Sequence, residues 1–581
     1  MVKRILATVT ILLILAVTVF SCNNALVLSD NPATMHASSV VNWEQQILDL
    51  VNGSRAYEYD LELEKIGQKY FEFRSAGSPG ADESAHWIKE QFESSGLDAL
   101  LEPFEFTTWN ITSKPTLLID EDGNVSSTED QSSMETLLPT HLSSSTPPGD
   151  VFADLVVLPL PPAANRGEVG LNPLNETEWA VDITGKVVLI GKEVGWNGVW
   201  LDAFNHKLRI QTPAAIIYTW WYDWMNFTPP LMSSAGGRWQ WYLSLPSGSV
   251  DYDEGLWIRN REKAVNVSAC VSIRSAIGEG TNYNVVGKIE GYKNPEKYVI
   301  VSGHYDTVVT SGFCDNGAGT AGVVELARVI GDAVRTGIYR PRYTLIFVAF
   351  TSEELVLVGS INYIARHKSD MPNIVAVINL DCIGSDNFAY SETEPVNGFD
   401  LDQIVNHAAQ DLGISSLIEQ PGGSDHESFR DPVWANNLYQ YYWELDANIS
   451  DAQPVPSSIL LISQPLFYSD KWNEGIAGYI HTSYDNSTST QTLSWVEVND
   501  LEDHIKVAAL TIARVSPTPA LLGDVNYDGI VDVYDGILLA NAFHSQPGQQ
   551  DWDANADIND DKIVDIYDAL ILASHFGRII S

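Results

Sequence analysis

Between Lys297 and Asp381 the chain sets residues able to hold a metal ion behind three short apolar runs. Tyr298-Val299-Ile300-Val301 runs into Gly303-His304-Tyr305-Asp306. Leu345-Ile346-Phe347-Val348-Ala349-Phe350 runs into Glu353-Glu354, and Ile374-Val375-Ala376-Val377-Ile378 into Asp381. Cys314-Asp315-Asn316-Gly317-Ala318-Gly319 lies between the first two runs, and His481-Thr-Ser-Tyr-Asp485 follows far downstream. Imidazole and carboxylate are ligand types that suit zinc. Each piece alone says little: a lone His-x-Asp is more often structural, and a lone Glu-Glu pair is usually a solvated edge. The signal is their joint order at the ends of successive apolar runs.

Short continuous apolar runs suit buried parallel strands with helices between them. Val323 to Val334 has the apolar helical character such a connection needs. The expected fold class is therefore α/β. Open α/β sheets bind ligands beyond the carboxyl ends of their strands, where these residues fall. Upstream, Ser78-Pro79-Gly80-Ala81-Asp82 predicts the cap of a helix over Glu83 to Ser94, with Ala85, Ile88 and Phe92 on one face and Gly96 closing it.

From about 112 to 275 the character changes. Ser143 to Gly149 reads as a loop, and short strand runs appear at Val151 to Leu158, Gly185 to Ile190 and Ala214 to Tyr218. A Trp-rich stretch follows (Trp220, Trp221, Trp224, Trp239, Trp241) whose rings suit either a core or a binding surface. The expectation is a separate β-rich domain inserted into the first. Ser516-Pro517-Thr518-Pro519 reads as a linker.

Beyond it, two related segments begin 33 residues apart, at Asp524 and Asp557. The first offers Asp524, Asn526, Asp528, Asp532 and Asp535, with the Ile530 carbonyl at the seventh position. The second offers Asp557, Asn559, Asp561, Asp565 and Asp568, with the Ile563 carbonyl. Oxygens at positions 1, 3, 5, 7, 9 and 12 are the spacing of an EF-hand calcium loop. Lys562 stands where the first loop has the turn glycine, Gly529, so the second loop is expected to bind less tightly.

Composition bounds the rest. With 581 residues, two to four domains are expected. A formal net charge of −43 argues against nucleic acid, whose phosphates require Lys/Arg clusters. Four cysteines, Cys22, Cys270, Cys314 and Cys382, are no disulfide framework. Lys3 and Arg4 before an apolar run from Ile5 to Phe20 read as a secretory signal over residues 1–25, with a lipidated Cys22 as the alternative. The run is short for a membrane span, so no transmembrane anchor is expected after cleavage and the chain is expected outside the cell or at its surface.

Jointly, Gly-His304-Tyr-Asp306-Thr, Cys-Asp315-Asn-Gly-Ala-Gly, Ser-Glu353-Glu354, Asn-Leu-Asp381 and His481-Thr-Ser-Tyr-Asp485 resemble the co-catalytic zinc exopeptidases, the family of bacterial leucyl aminopeptidases and glutamate carboxypeptidase. The resemblance implies a mixed, mostly parallel central sheet flanked by helices. It implies that Asp315 bridges two zinc ions, with His304 and Asp381 on one and Glu354 and His481 on the other. It makes Glu353 the general base toward a zinc-bound water, and Asp306 the partner that takes the second N–H of His304. Ser424, Asp425 and His426 resemble a substrate-side loop. Cys314 stands where the family commonly has an acid, and a disulfide to Cys382 is left open. Pro421-Gly422-Gly423 occupies the place of an oxyanion-stabilising Tyr, with Tyr468 and Tyr479 as candidate substitutes. The inserted segment resembles a protease-associated domain, and the repeat resembles a dockerin, whose partner would be cohesin-like and whose recognition positions would be Val533-Tyr534 and Ile566-Tyr567.

The expected domains are residues 43–111 with 276–515 for the exopeptidase, 112–275 for the insert, 516–522 for the linker and 523–581 for two calcium loops. The expected activity is hydrolysis at a peptide's end, most simply as an aminopeptidase. A carboxypeptidase, a glutaminyl-cyclase-like acyl transferase and a non-catalytic scaffold are the alternatives.

Overall fold

The computed structural model describes residues 43–578 apart from 72, 121–130, 140–142, 159–180, 192–203, 205, 220–244, 264, 386, 397–398, 420–422, 465–479, 482–484, 489–495, 518–522, 527–530, 548, 550, 554 and 560. Residues 1–25, expected to be a secretory signal, the Trp-rich stretch, Tyr468, Tyr479, Pro421, Gly422, Asp528, Gly529 and Ile530 lie outside the described residues.

The strands in chain order are β1 (Asp98–Asp120), β2 (Gln131–Met134), β3 (Leu138–Pro139), β4 (Val151–Leu158), β5 (Val187–Gly191), β6 (Ala215–Thr219), β7 (Ser247–Ser249), β8 (Ser268–Ile289), β9 (Asn294–His304), β10 (Tyr343–Phe350), β11 (Ile374–Leu380), β12 (Asn387–Ser391), β13 (Ser416–Glu419) and β14 (Ser458–Gln464). The three apolar runs are β9, β10 and β11. They pair side by side and parallel in the order β14-β11-β9-β10, and β8 closes the row antiparallel to β10.

The chain leaves β9 for β10 on one side, then crosses back to β11 on the other. The carboxyl end of β9 is therefore the point where strand order reverses, the place where such sheets open a crevice. Both faces are covered, which is why the runs are apolar without alternation. Val299, Val301, Leu345 and Phe347 pack with the helix Gly319–Thr336, while Ile300 and Val348 pack into a second core on the opposite face.

The helix expected over 83–94 begins earlier, at Pro79, because Ser78 caps it through the Ala81 N–H and proline is tolerated in the first turn. Gly96 follows its end at φ +85, and Leu97 N bonds back to Phe92 O.

β1 and β8 run antiparallel from Asp98↔Lys288 to Asp120↔Ser268, broken only by register shifts near Ile111, Ser113 and Thr116. The expected borders of the insert, 111/112 and 275/276, thus fall inside two continuous strands. At the far end of this ribbon β4 joins β8, and β4, β5, β6 and β7 continue in parallel. This second region has its own apolar clusters, one with Leu155, Val187 and Ile217 and another with Val188, Ile190 and Ile216.

Ser516 does not belong to a loose linker. It is buried, accepts from Tyr339 Oη at 2.7 Å through its carbonyl, and takes the Tyr343 N–H on its hydroxyl at 2.8 Å. Beyond it, the helices Val533–Ala542 and Ile566–His575 pack around a separate core of Val525, Val531, Leu539, Val564 and Leu572. Among the described residues no helix is long and apolar enough to cross a membrane.

Candidate metal centre

His304 is the last residue of β9, paired in register with Phe350 at the end of β10. Glu353 and Glu354 follow β10 by one turn, and Asp381 follows β11 directly. Asp315 sits in the buried turn Phe313–Ala318 that leads into the helix Gly319–Thr336. Parallel pairing thus delivers the ligand types to one edge. Asp315 faces two histidines with two different oxygens: Oδ1 is 3.4 Å from His304 Nε2, and Oδ2 is 3.0 Å from His481 Nε2. Asp381 Oδ1 lies 3.5 Å from His304 Nε2, and Glu354 Oε2 lies 3.1 Å from His481 Nε2. Two groups result, His304-Asp315-Asp381 and Asp315-Glu354-His481, each with ligand atoms within 4.8 Å of one another. Glu353 belongs to neither.

His304 Nε2, Asp381 Oδ1 and Glu354 Oε1 are buried and take no hydrogen bond from the protein. Polar atoms in that state are costly unless something charged meets them. One nitrogen and two oxygens of zinc-ligand type, buried here without a hydrogen bond, fit a cation.

The electrostatics agree. Burial disfavours the His304 imidazolium, yet Asp381, Glu353, Asp306 and Asp315 together hold its pKa well above the ordinary value. His481 is raised in the same way, against burial, by Glu354 and Asp315. Burial, opposed by His304 and joined by Glu354, Asp425 and Asp381, pushes the Glu353 carboxyl well up.

Hydrogen bonds fix the ligand loops. Asn316 donates Nδ2 to Leu380 O at 2.9 Å and accepts from Cys382 N at 3.1 Å and Gly319 N at 2.9 Å, so one side chain ties the Asp315 turn to the Asp381 turn. Ser302 Oγ donates to Asn379 Oδ1, Asn379 Nδ2 donates to Ser424 Oγ, and Ser424 Oγ donates to Asp381 Oδ2 at 2.7 Å. Ser424, expected on the substrate side, is buried and bonded to Asp381; Asp425 and His426 are buried beside it. Asp485 accepts the Cys314 N–H at 2.6 Å and the Asp315 N–H at 3.1 Å, joining the His481 segment to the Asp315 turn.

Asp306 was expected to take the second N–H of His304. The nearer partner of His304 Nδ1 is the Asp306 carbonyl at 3.1 Å, with the carboxylate at 3.6 Å. That carboxylate accepts the backbone N–H groups of Glu353 at 3.1 Å and Glu354 at 3.3 Å. Cys314 and Cys382 are buried free thiols, so the disulfide left open above does not form here. Several ligand-bearing turns are strained: Ser352, Cys382 and His481 lie at φ +60, +50 and +62, a backbone region that non-glycine residues enter where the surroundings hold them. Sequence reasoning missed the roles of Asn316, Ser424 and Asp485, although each lay inside or beside a quoted motif.

In the C-terminal repeat, the two loops close alike. Asp535 Oδ1 accepts from Val525 N at 2.6 Å and Asn526 N at 3.0 Å, and Asp568 Oδ1 accepts from Ile558 N at 2.6 Å and Asn559 N at 3.0 Å. Asp532 with Asp535, and Asp565 with Asp568, form capping boxes for the helices that follow. Lys562 lies at φ +68, the conformation for which such loops use glycine.

A mostly parallel α/β sheet thus carries two carboxylate-histidine groups at its carboxyl edge, the arrangement that the resemblance to co-catalytic zinc exopeptidases implies. Residues 284–502 match the model of Peptidase family M28, and residues 522–577 match the model of the Dockerin type I domain. It is 37% identical over 112 residues to the aminopeptidase NAALADL1 of Mus musculus, covering 19% of this chain and 15% of that one. It is 28% identical over 186 residues to a glutamate carboxypeptidase 2 homolog of Caenorhabditis briggsae, covering 32% and 22%. The matches thus span less than a quarter of either relative's length. A zinc aminopeptidase from Bacillus subtilis shares the fold, with TM-score 0.55 and 18% identity over 81% of this chain and 96% of that one.

Proposed function

We propose that the chain is a secreted exopeptidase, an aminopeptidase, with two zinc ions at the end of the central sheet. His304, Asp381 and Asp315 would hold one ion, and Glu354, His481 and the shared Asp315 the other. The observation that carries this reading is Asp315 turning one carboxylate oxygen to each histidine. Zinc held there would acidify water and polarise the carbonyl of the scissile bond.

Glu353 takes the proton of the attacking water on its carboxylate and returns it to the leaving amine. Asp306 positions it, since it grips the backbone N–H of Glu353 and of its neighbour together. Residues 43–111 and 276–515 serve as the peptidase domain. Residues 112–275 serve as a protease-associated insert that selects substrate. The module at 523–581 takes two calcium ions and fastens the enzyme to a cohesin-like protein outside the cell.

The same peptides offered with a free amine, with a blocked amine and with an amidated carboxyl end test the specificity. An aminopeptidase cleaves the free-amine and amidated forms and spares the blocked ones. Cleavage of blocked peptides with a free carboxylate supports the carboxypeptidase reading, which the glutamate carboxypeptidase relatives favour. Loss of no peptide under zinc loading contradicts both.

A further inference from the structure

Arg74 is fully buried. It lies ahead of the segment matched to the peptidase family. Its guanidinium donates to three carbonyls: Nε to Tyr305 at 3.0 Å, Nη1 to Ser311 at 2.7 Å and Nη2 to Gly312 at 3.1 Å. Its backbone N–H donates to Thr307 Oγ1 at 2.9 Å, and that hydroxyl donates to Thr310 O at 3.1 Å. All five acceptors or relays belong to the loop that leaves His304 and arrives at Asp315. Tyr305 and Thr307 stand at its start, and Thr310, Ser311 and Gly312 at its end. A planar fork with fixed donor directions draws the two ends of this loop to one spacing, which a flexible ammonium does not do.

The far end of the loop is confined as well. Gly312 lies at φ +56, and a Cβ there would strike Thr307 and the Asp315 carbonyl. A Cβ on Gly317 would strike Asp60, whose two carboxylate oxygens are buried without a hydrogen-bond partner. Asp60 comes from the helix Gly53–Gln68, again outside the matched segment. A buried guanidinium such as that of Arg74 is a poor stabiliser compared with an apolar side chain of similar volume. Its presence here is better explained by the geometry it imposes.

We propose that Arg74 is a positioning residue of the metal centre: it cinches the loop 305–312 so that His304 and Asp315 present their ligand atoms to one ion. The N-terminal helical segment is then part of the catalytic apparatus rather than an accessory to it. The inference rests on the zinc reading above.

The test is Arg74→Lys in the intact chain, which keeps the charge and removes the fork. Zinc affinity is measured against a metal buffer, the cobalt-substituted protein is examined by visible absorption, and folding by circular dichroism. The expected result is a parent-like fold with metal affinity lowered about 10- to 100-fold, as for other groups that orient ligands, and an altered cobalt spectrum. A variant with parent-like affinity and spectrum that differs only in melting temperature overturns the proposal. If Arg74→Lys does not fold, Thr307→Val decides: weaker zinc binding in a folded chain supports the proposal, and unchanged binding overturns it. A parent chain that takes up no zinc overturns the zinc reading and this inference together, whereas an equally loaded parent and variant overturn this inference alone.

Discussion

Glu353 and Glu354 are neighbours in sequence with different surroundings. Glu354 Oε2 lies 3.1 Å from His481 Nε2 and joins a ligand group, and Glu353 joins none. Glu353→Gln preserves size and hydrogen bonding but accepts no proton. It is expected to keep its zinc and its fold while the chemical step slows by about 100- to 10,000-fold. Glu354→Gln removes an anionic ligand and is expected to lower zinc content as well as turnover. Metal analysis and peptide turnover of both variants check this, and zinc loss confined to Glu353→Gln reverses the two roles. The ligand candidates were legible in the sequence because each is a rare residue type at the end of an apolar run. Asn316, Ser424 and Asp485 were not, because they bond backbone groups or side chains of segments that only the fold brings near. Ser424 to Asp381 is such a case, 43 residues apart in the chain.

At the scale of elements, β9, β10 and β11 were legible from their apolar runs, since strands covered on both faces lose alternation. The β1–β8 ribbon was not, because its strands are half-exposed, interrupted by register shifts and separated by about 150 residues of other structure. One cross-tie on this ribbon is pH-sensitive. His367, just past the helix Val358–Arg366, places Nε2 2.9 Å from Glu102 Oε1 on β1, with Asp370 3.4 Å from Nδ1. Burial lowers its pKa, but Glu102 and Asp370 outweigh that and raise it. A histidine with a raised folded pKa adds stability that is complete below its unfolded pKa of about 6.5 and is lost as pH rises through the folded value. His367→Gln is expected to destabilise the chain at pH 5.5 by roughly 0.5–1 kcal/mol, a figure already reduced for solvent screening, and to have less effect at pH 8.5. Urea midpoints at the two pH values check it, and an effect larger at pH 8.5 contradicts it.

At the scale of the whole molecule, the chain joins the sheet that carries the candidate metal centre to a small helical module with a core of its own. Calcium that binds only the folded module stabilises it by mass action, by about 4 kcal/mol at a thousandfold excess over Kd. In calorimetry of the intact chain, a chelator selective for calcium over zinc is expected to lower one small transition and leave the larger one in place. A scan unchanged by the chelator contradicts the loop reading.

The peptidase account itself turns on a single carboxylate shared between two ions, and zinc per chain measured for the parent and for Asp315→Ala tests that most directly. The account predicts two zinc ions in the parent and the loss of both in the variant, with the far-ultraviolet circular dichroism retained. An Asp315→Ala chain that keeps one ion at parent affinity contradicts it.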